Sequence, residues 1–179
     1  MRACTLVVTL AALAATPSFA QTPAASGSVS DAIRADWNAA RRNVRESADQ
    51  MPADGYGYKP VDTVRTFGQV LAHIAGVNYL YCGAASGDTT PREEDAIEKS
   101  ATTKEAIVKA LDDSLAYCDK AFTALTDQSA ANQVKAPFGS GTRPRVSMLL
   151  GNTTHLNEHY GNLVTYFRMK GMVPPSSKR

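Results

Sequence analysis

The sequence predicts an all-α protein built as a four-helix bundle. Three observations carry that prediction. Four segments repeat apolar residues at helical spacing, glycines and prolines break the chain between them, and no segment alternates convincingly as a strand. Helices of this number and length bury their apolar stripes against one another around a single core.

The first twenty residues stand outside that domain. Arg2 precedes a short apolar run from Thr5 to Ala15, and Ser18 and Ala20 occupy the small-residue positions of a signal-peptidase site. Residues 1–20 therefore read as a secretory leader, cut between Ala20 and Gln21, because the run is far shorter than the roughly 20 residues that span a bilayer. Cys4 precedes the apolar run, too early for lipidation, so the expectation is a released periplasmic protein with no membrane anchor. Residues 21–29, rich in Pro, Ala, Ser and Gly, read as a flexible tail.

The bundle domain is expected over 30–175. Ser30 is the expected cap of the first helix, where Ile33, Trp37, Val44 and Ala48 recur on one face as far as Asp49. Arg34, Arg41, Arg42, Arg45 and Glu46 fill the solvated face. MPADGYGYKP then breaks the chain. Thr66 and Gln69 form a T-x-x-Q capping box for a second helix from Phe67 to about Cys82. Gly83 to Ser100 is polar and reads as a long connection. Thr102 and Glu105 make another capping box before a third helix marked by Ile107, Val108, Leu111, Leu115, Cys118, Phe122 and Leu125. A loop containing PFGSGTRP follows. The last helix runs from a cap at Ser147 to Lys170, stopped by Gly171 and Pro174-Pro175, and 176–179 is a tail.

Charge and cysteine content exclude some functions. Without Arg2, 18 basic side chains face 17 acidic ones, a balance that gives no electrostatic case for nucleic acid. Phosphate loops and dinucleotide fingerprints are absent. Without Cys4, two cysteines remain, and in an oxidising compartment Cys82 and Cys118 are a candidate disulfide, with two separate buried thiols as the alternative.

The chemistry concentrates in the three histidines. His155 and His159 lie about 40° apart on a helix and share an inward face with Met148, Gly151, Asn152, Asn162 and Tyr166. His73 shares an inward face with Val70, Val77 and Leu80. Three imidazoles in one small core are costly as ordinary polar groups, and a divalent metal relieves that cost by taking a lone pair from each. Three protein ligands leave a position open for water, the pattern of a catalytic site. Taken singly, each histidine also fits a hydrogen-bonded interior residue. HLNEH matches the H-x-x-E-H of inverted zinc peptidases, but those need an acidic ligand well downstream. Glu158 is the only acidic residue after Asp127, so proteolysis is rejected.

GYGYKP, VRTFGQVLAHIAGVN around His73 and HLNEHYGNLVTYFRMKGMVPP around the last pair resemble the DinB/YfiT-like superfamily of metal-binding four-helix bundles. The resemblance covers Ser30 to Pro175. It implies an up-down-down-up order, with the long crossover between helices two and three, and a metal triad of one histidine from the second helix and an H-x-x-x-H pair from the fourth. Those positions are His73, His155 and His159. It also implies a metal-dependent enzyme like the family's thiol-dependent transferases and isomerases, acting on an unidentified small molecule. Hydrolysis by a metal-bound water is equally compatible with the triad, and the expected cofactor is one divalent ion, zinc first and nickel or iron next. A non-enzymatic, stress-related metal-binding protein is the alternative, and a homodimer is a further expectation. Glu158 is the candidate general base, at the margin of the inward face; the alternative is an orienting or surface partner. Asn152, Asn162, Tyr166 and Trp37 are candidates for orienting ligands or lining a pocket, beside Tyr56 and Tyr58; packing is the alternative for each.

Overall fold

The computed structural model describes residues 27–88 and 93–178, together with Met1. The expected leader, its cleavage point and most of the tail fall within 2–26, outside the described residues. Four long helices form the bundle: α1 (Val29–Gln50), α2 (Phe67–Ser86), α4 (Lys104–Thr123) and α5 (Arg145–Met169). A short helix, α3 (Ala96–Ser100), interrupts the crossover, and a two-stranded hairpin, β1 (Gln133–Lys135) with β2 (Thr142–Pro144), precedes α5. Among the described residues no helix is long and apolar enough to cross a membrane.

Side-chain contacts fix the helix directions. The Asp127 carboxylate, just past α4, accepts hydrogen bonds from the backbone N–H groups of Val29 and Ser30 at the start of α1. Lys104, opening α4, donates to the Met51 carbonyl just past the end of α1, so α1 and α4 run antiparallel. Phe67 at the start of α2 meets Phe167 near the end of α5, which makes that pair antiparallel. Asn78 meets Ser114, and Cys82 meets Cys118 at a Cα–Cα distance of 5.2 Å, so α2 and α4 run parallel. The order is up-down-down-up, and parallel neighbours require the long crossover. The two cysteine sulfurs stand at bonding distance, as the sequence-based pairing expects.

The core is aliphatic and aromatic. Trp37 stacks on Phe122 with centroids 4.4 Å apart, Phe67 meets Tyr56 and Phe167 edge-on, and Leu71, Ile74, Leu111, Leu149, Leu156 and Leu163 are fully buried around them. Each such side chain stabilises the fold by about 1.5–3 kcal/mol.

Several element ends differ from the sequence-based expectation. Ser28, not Ser30, caps α1: its hydroxyl accepts from the Asp31 N–H while the Asp31 carboxylate accepts from the Ser28 N–H. Ser30 lies inside the helix, buried. The Thr66–Gln69 capping box forms as expected. For α4 the cap is Thr103, which accepts from the Ala106 N–H, in place of Thr102. Helix α2 continues past Cys82 to Ser86 and ends at Gly87, whose φ of 74° only glycine adopts cheaply. Pro144 holds the N-cap position of α5, and the Ser147 hydroxyl donates back to its carbonyl at 2.7 Å. The hairpin pairs Val134 with Arg143, and its three-residue strands are too short to show an alternating pattern.

Candidate metal centre

Helix α2 presents His73 and the antiparallel α5 presents His155 and His159, one turn apart, to the same point. His73 is 5% exposed, and the other two are partly buried. The Nε2 atom of His155 lies 3.1 Å from Nε2 of His73 and 3.0 Å from Nε2 of His159. One candidate ligand atom from each ring lies within 4.8 Å of the others. The sequence-predicted triad is therefore brought together.

These rings are held neutral. Burial pushes His155 down to about 3, with the neighbouring His159 and His73 adding to the shift. Burial also lowers His73, with the Arg65 guanidinium adding, and lowers His159, with His73 adding. Neutral imidazoles keep the lone pair that a metal needs. Two nitrogens bound tetrahedrally at about 2.0–2.1 Å sit about 3.3–3.4 Å apart, close to the spacing here. Facing nitrogens at this range otherwise need one proton per contact, and His155 Nε2 faces both partners. The donor set and the two spacings around His155 fit a divalent ion.

The outward nitrogens differ in their surroundings. The Asn162 side-chain amide lies 3.3 Å from Nδ1 of His159, one turn further along α5. Nδ1 of His73 is buried without a hydrogen-bond partner, and the Glu94 carboxylate approaches it to 3.7 Å. Nδ1 of His155 is also buried and unpartnered. The Tyr81 ring stands 6.4 Å from the His155 ring and meets Phe138 of the hairpin loop edge-on at 5.5 Å. Gly151 makes room for this, since a Cβ there would come within 2.9 Å of Tyr81.

An open cleft of about 780 Å³ reaches the triad at His159. Arg65, Gln69, Glu98, Asn162 and Tyr166 line it, and Arg65 pairs with Glu98 at 3.1 Å. The Tyr166 hydroxyl donates to the Arg65 carbonyl at 2.8 Å, and its ring meets Tyr58 edge-on.

The remaining expectations divide. Asn162 and Tyr166 sit at the cleft. Asn152 is fully buried one turn before His155, and its amide nitrogen lies 3.6 Å from each sulfur of the Cys82–Cys118 pair, so it joins α5 to the disulfide. Trp37 belongs to the α1–α4 core, with its indole N–H donating to Asp119 at 2.8 Å. Tyr56 is likewise a core residue, donating to the Ala48 carbonyl. Glu158 is exposed and forms no hydrogen bond or ion pair among the described residues, although its charge acts on His73 and His159. Sequence reasoning missed Glu94, Arg65, Tyr81 and Phe138. The first two lie outside periodic helices, whereas the inward-facing Gly151 was a signal that a bulky ring crosses α5.

A family model described as the DinB superfamily matches residues 36–163, a span that includes all three histidines. No curated relative matches the chain. A DinB-like protein from Bacillus cereus ATCC 10987 superposes with a TM-score of 0.63 at 14% identity, over 83% of this chain and 96% of that one. A DinB-like protein from Bacillus subtilis gives 0.62 at 19% identity, over 83% and 99%. A mycothiol-dependent maleylpyruvate isomerase gives 0.62 at 14% identity, over 75% of this chain and 60% of the isomerase. The structural likenesses carry the fold, the matched segment spans most of the bundle, and on that ground the chain belongs to the DinB superfamily.

Proposed function

We propose that the protein is an exported, metal-dependent enzyme in which Nε2 of His73, His155 and His159 holds one divalent ion and the adjoining cleft receives a small molecule. The observation that carries the reading is the convergence of three neutral imidazoles, with Nε2 of His155 3.0–3.1 Å from Nε2 of both His73 and His159. Zinc is the first candidate and nickel or iron the next, since all three suit imidazole donors. When bound by three protein ligands, such an ion supplies a Lewis acid with an open coordination position.

The chain's own residues bind and orient. Asn162 fixes the His159 ring from its outer nitrogen. Arg65 brings positive charge to the cleft, balanced by Glu98. Tyr166 acts as a wall, its hydroxyl already committed to the Arg65 carbonyl. Glu158, exposed and unbonded, is the candidate to take a proton from the attacking group, which requires its side chain to swing toward the cleft. The open cleft favours catalysis over storage, because a pure binding site gains nothing from substrate-sized access. Thiol-dependent transfer and hydrolysis both suit the arrangement. The isomerase with the same fold is mycothiol-dependent by its name, which makes a low-molecular-weight thiol one co-substrate to test.

Metal analysis of the purified mature protein should find one divalent ion per chain in the wild type and none in His155→Ala. A panel of thiol-transfer and hydrolase substrates should then give turnover with the loaded protein only. A wild type unable to take up zinc, nickel or iron overturns the metal centre. A loaded protein inert across the panel points instead to a metal-binding protein without catalysis.

A further inference from the structure

We infer that Glu94 is a positioning residue for His73, pressed against the ring by a strap of residues 93–100, and that Gly76 is the seat that lets the strap reach it. This rests on the reading of the triad as a metal centre. The His73 ring turns Nε2 toward His155, which leaves Nδ1 on its other side. That nitrogen is buried, has no hydrogen-bond partner, and belongs to a ring only 5% exposed. The Glu94 Oε1 atom stands 3.7 Å from it.

The strap is built to deliver that carboxylate. Gly76 lies one turn after His73 on α2, and a Cβ there would come within 2.2 Å of the Glu94 carbonyl oxygen. Any larger residue would lift the backbone that carries Glu94. Downstream the strap is fastened twice: Ile97 packs on the core, and Glu98 pairs with Arg65. A ligating histidine commonly donates its second N–H to a carboxylate, which selects the tautomer, aims the ring and raises the basicity of the ligating nitrogen. The present separation exceeds a hydrogen bond by about 0.5 Å, and the half-exposed Glu94 side chain has room to close it.

Zinc affinity, measured by competition with a chromophoric chelator, should fall about 10–100-fold in Glu94→Ala. Glu94→Gln should lose less, because its amide oxygen still accepts a hydrogen bond. Gly76→Ala, which changes no polar group, should weaken zinc as Glu94→Ala does. The double variant should be no weaker than Glu94→Ala, since both act through one contact. Glu94 is half exposed, so its removal leaves the core intact. In metal-free protein, long-range ¹H–¹⁵N spectra should show the His73 ring protonated at Nδ1 in the wild type and as a tautomer mixture in Glu94→Ala. An affinity for Glu94→Ala within twofold of wild type, or an unchanged His73 tautomer, overturns the inference. If the wild type takes no zinc, the metal reading fails, and the tautomer comparison decides the role of Glu94 independently.

Discussion

Three imidazoles with converging lone pairs are poor neighbours in a core unless something uses those lone pairs. His73→Ala should lose metal and turnover together, read by metal analysis and by assay. Glu158→Gln should keep the metal and lose about 10²–10⁴-fold in turnover, the range of one general base; full activity would remove Glu158 from the chemistry. The metal-free protein should also be sensitive to mild acid. Burial sets the three folded-state values below the ordinary 6.5, so the unfolded chain takes up protons first as the pH falls. The stability is complete above about pH 6.5 and is lost progressively toward about 3, where His155 itself protonates in the fold. Thermal midpoints of apo protein should drop between pH 7 and 5.5, where most carboxylates stay ionised, and zinc should suppress the drop. The His155–His159 pair was legible because a four-residue spacing on one helix face is a geometric statement in itself. Glu94 was not, because its position depends on how a polar connection lies across α2.

At the scale of elements, periodicity located the four long helices, while their ends turned on competition between adjacent candidates. Ser28 prevails over Ser30 because Asp31 stands three residues after Ser28 and closes a reciprocal pair of hydrogen bonds. The hairpin and α3 escaped notice because three-residue strands and a five-residue helix are shorter than their own periods can reveal. The Cys82–Cys118 bond ties two parallel helices, a little over one turn before the end of each, across a sequence separation of 36. Thiol titration of denatured, unreduced mature protein should find no free cysteine. Reduction should cost about 3–4 kcal/mol on the chain-entropy account, visible as a lower denaturant midpoint. It should also loosen Asn152, which holds α5 against both sulfurs one turn before His155.

For the molecule as a whole, the crossover between α2 and α4 was legible as a length, and its consequence, two parallel neighbours, needed the contacts. Helices α1 and α2 do not form the principal pair despite following one another. Each packs on α4 and α5, so the site on α2 and α5 is built from segments about 80 residues apart. Loss of one ligand helix therefore removes the site as a unit. Export is the remaining proposal at this scale. Full-length protein produced in a Gram-negative host should be recovered from the periplasm with Gln21 as its first residue, as read by intact mass; retention of residues 1–20 would reject the leader.

The single tryptophan of the chain has a practical meaning. Trp37 lies on α1, 1% exposed, stacked on Phe122 and bonded to Asp119, whereas the three histidines stand on α2 and α5. Its fluorescence should report unfolding with a large red shift and stay silent while zinc is titrated in. The emission spectrum thus acts as a witness to the fold alone. A histidine variant that loses metal with its emission maximum unmoved has lost a ligand; one whose maximum shifts has lost the bundle.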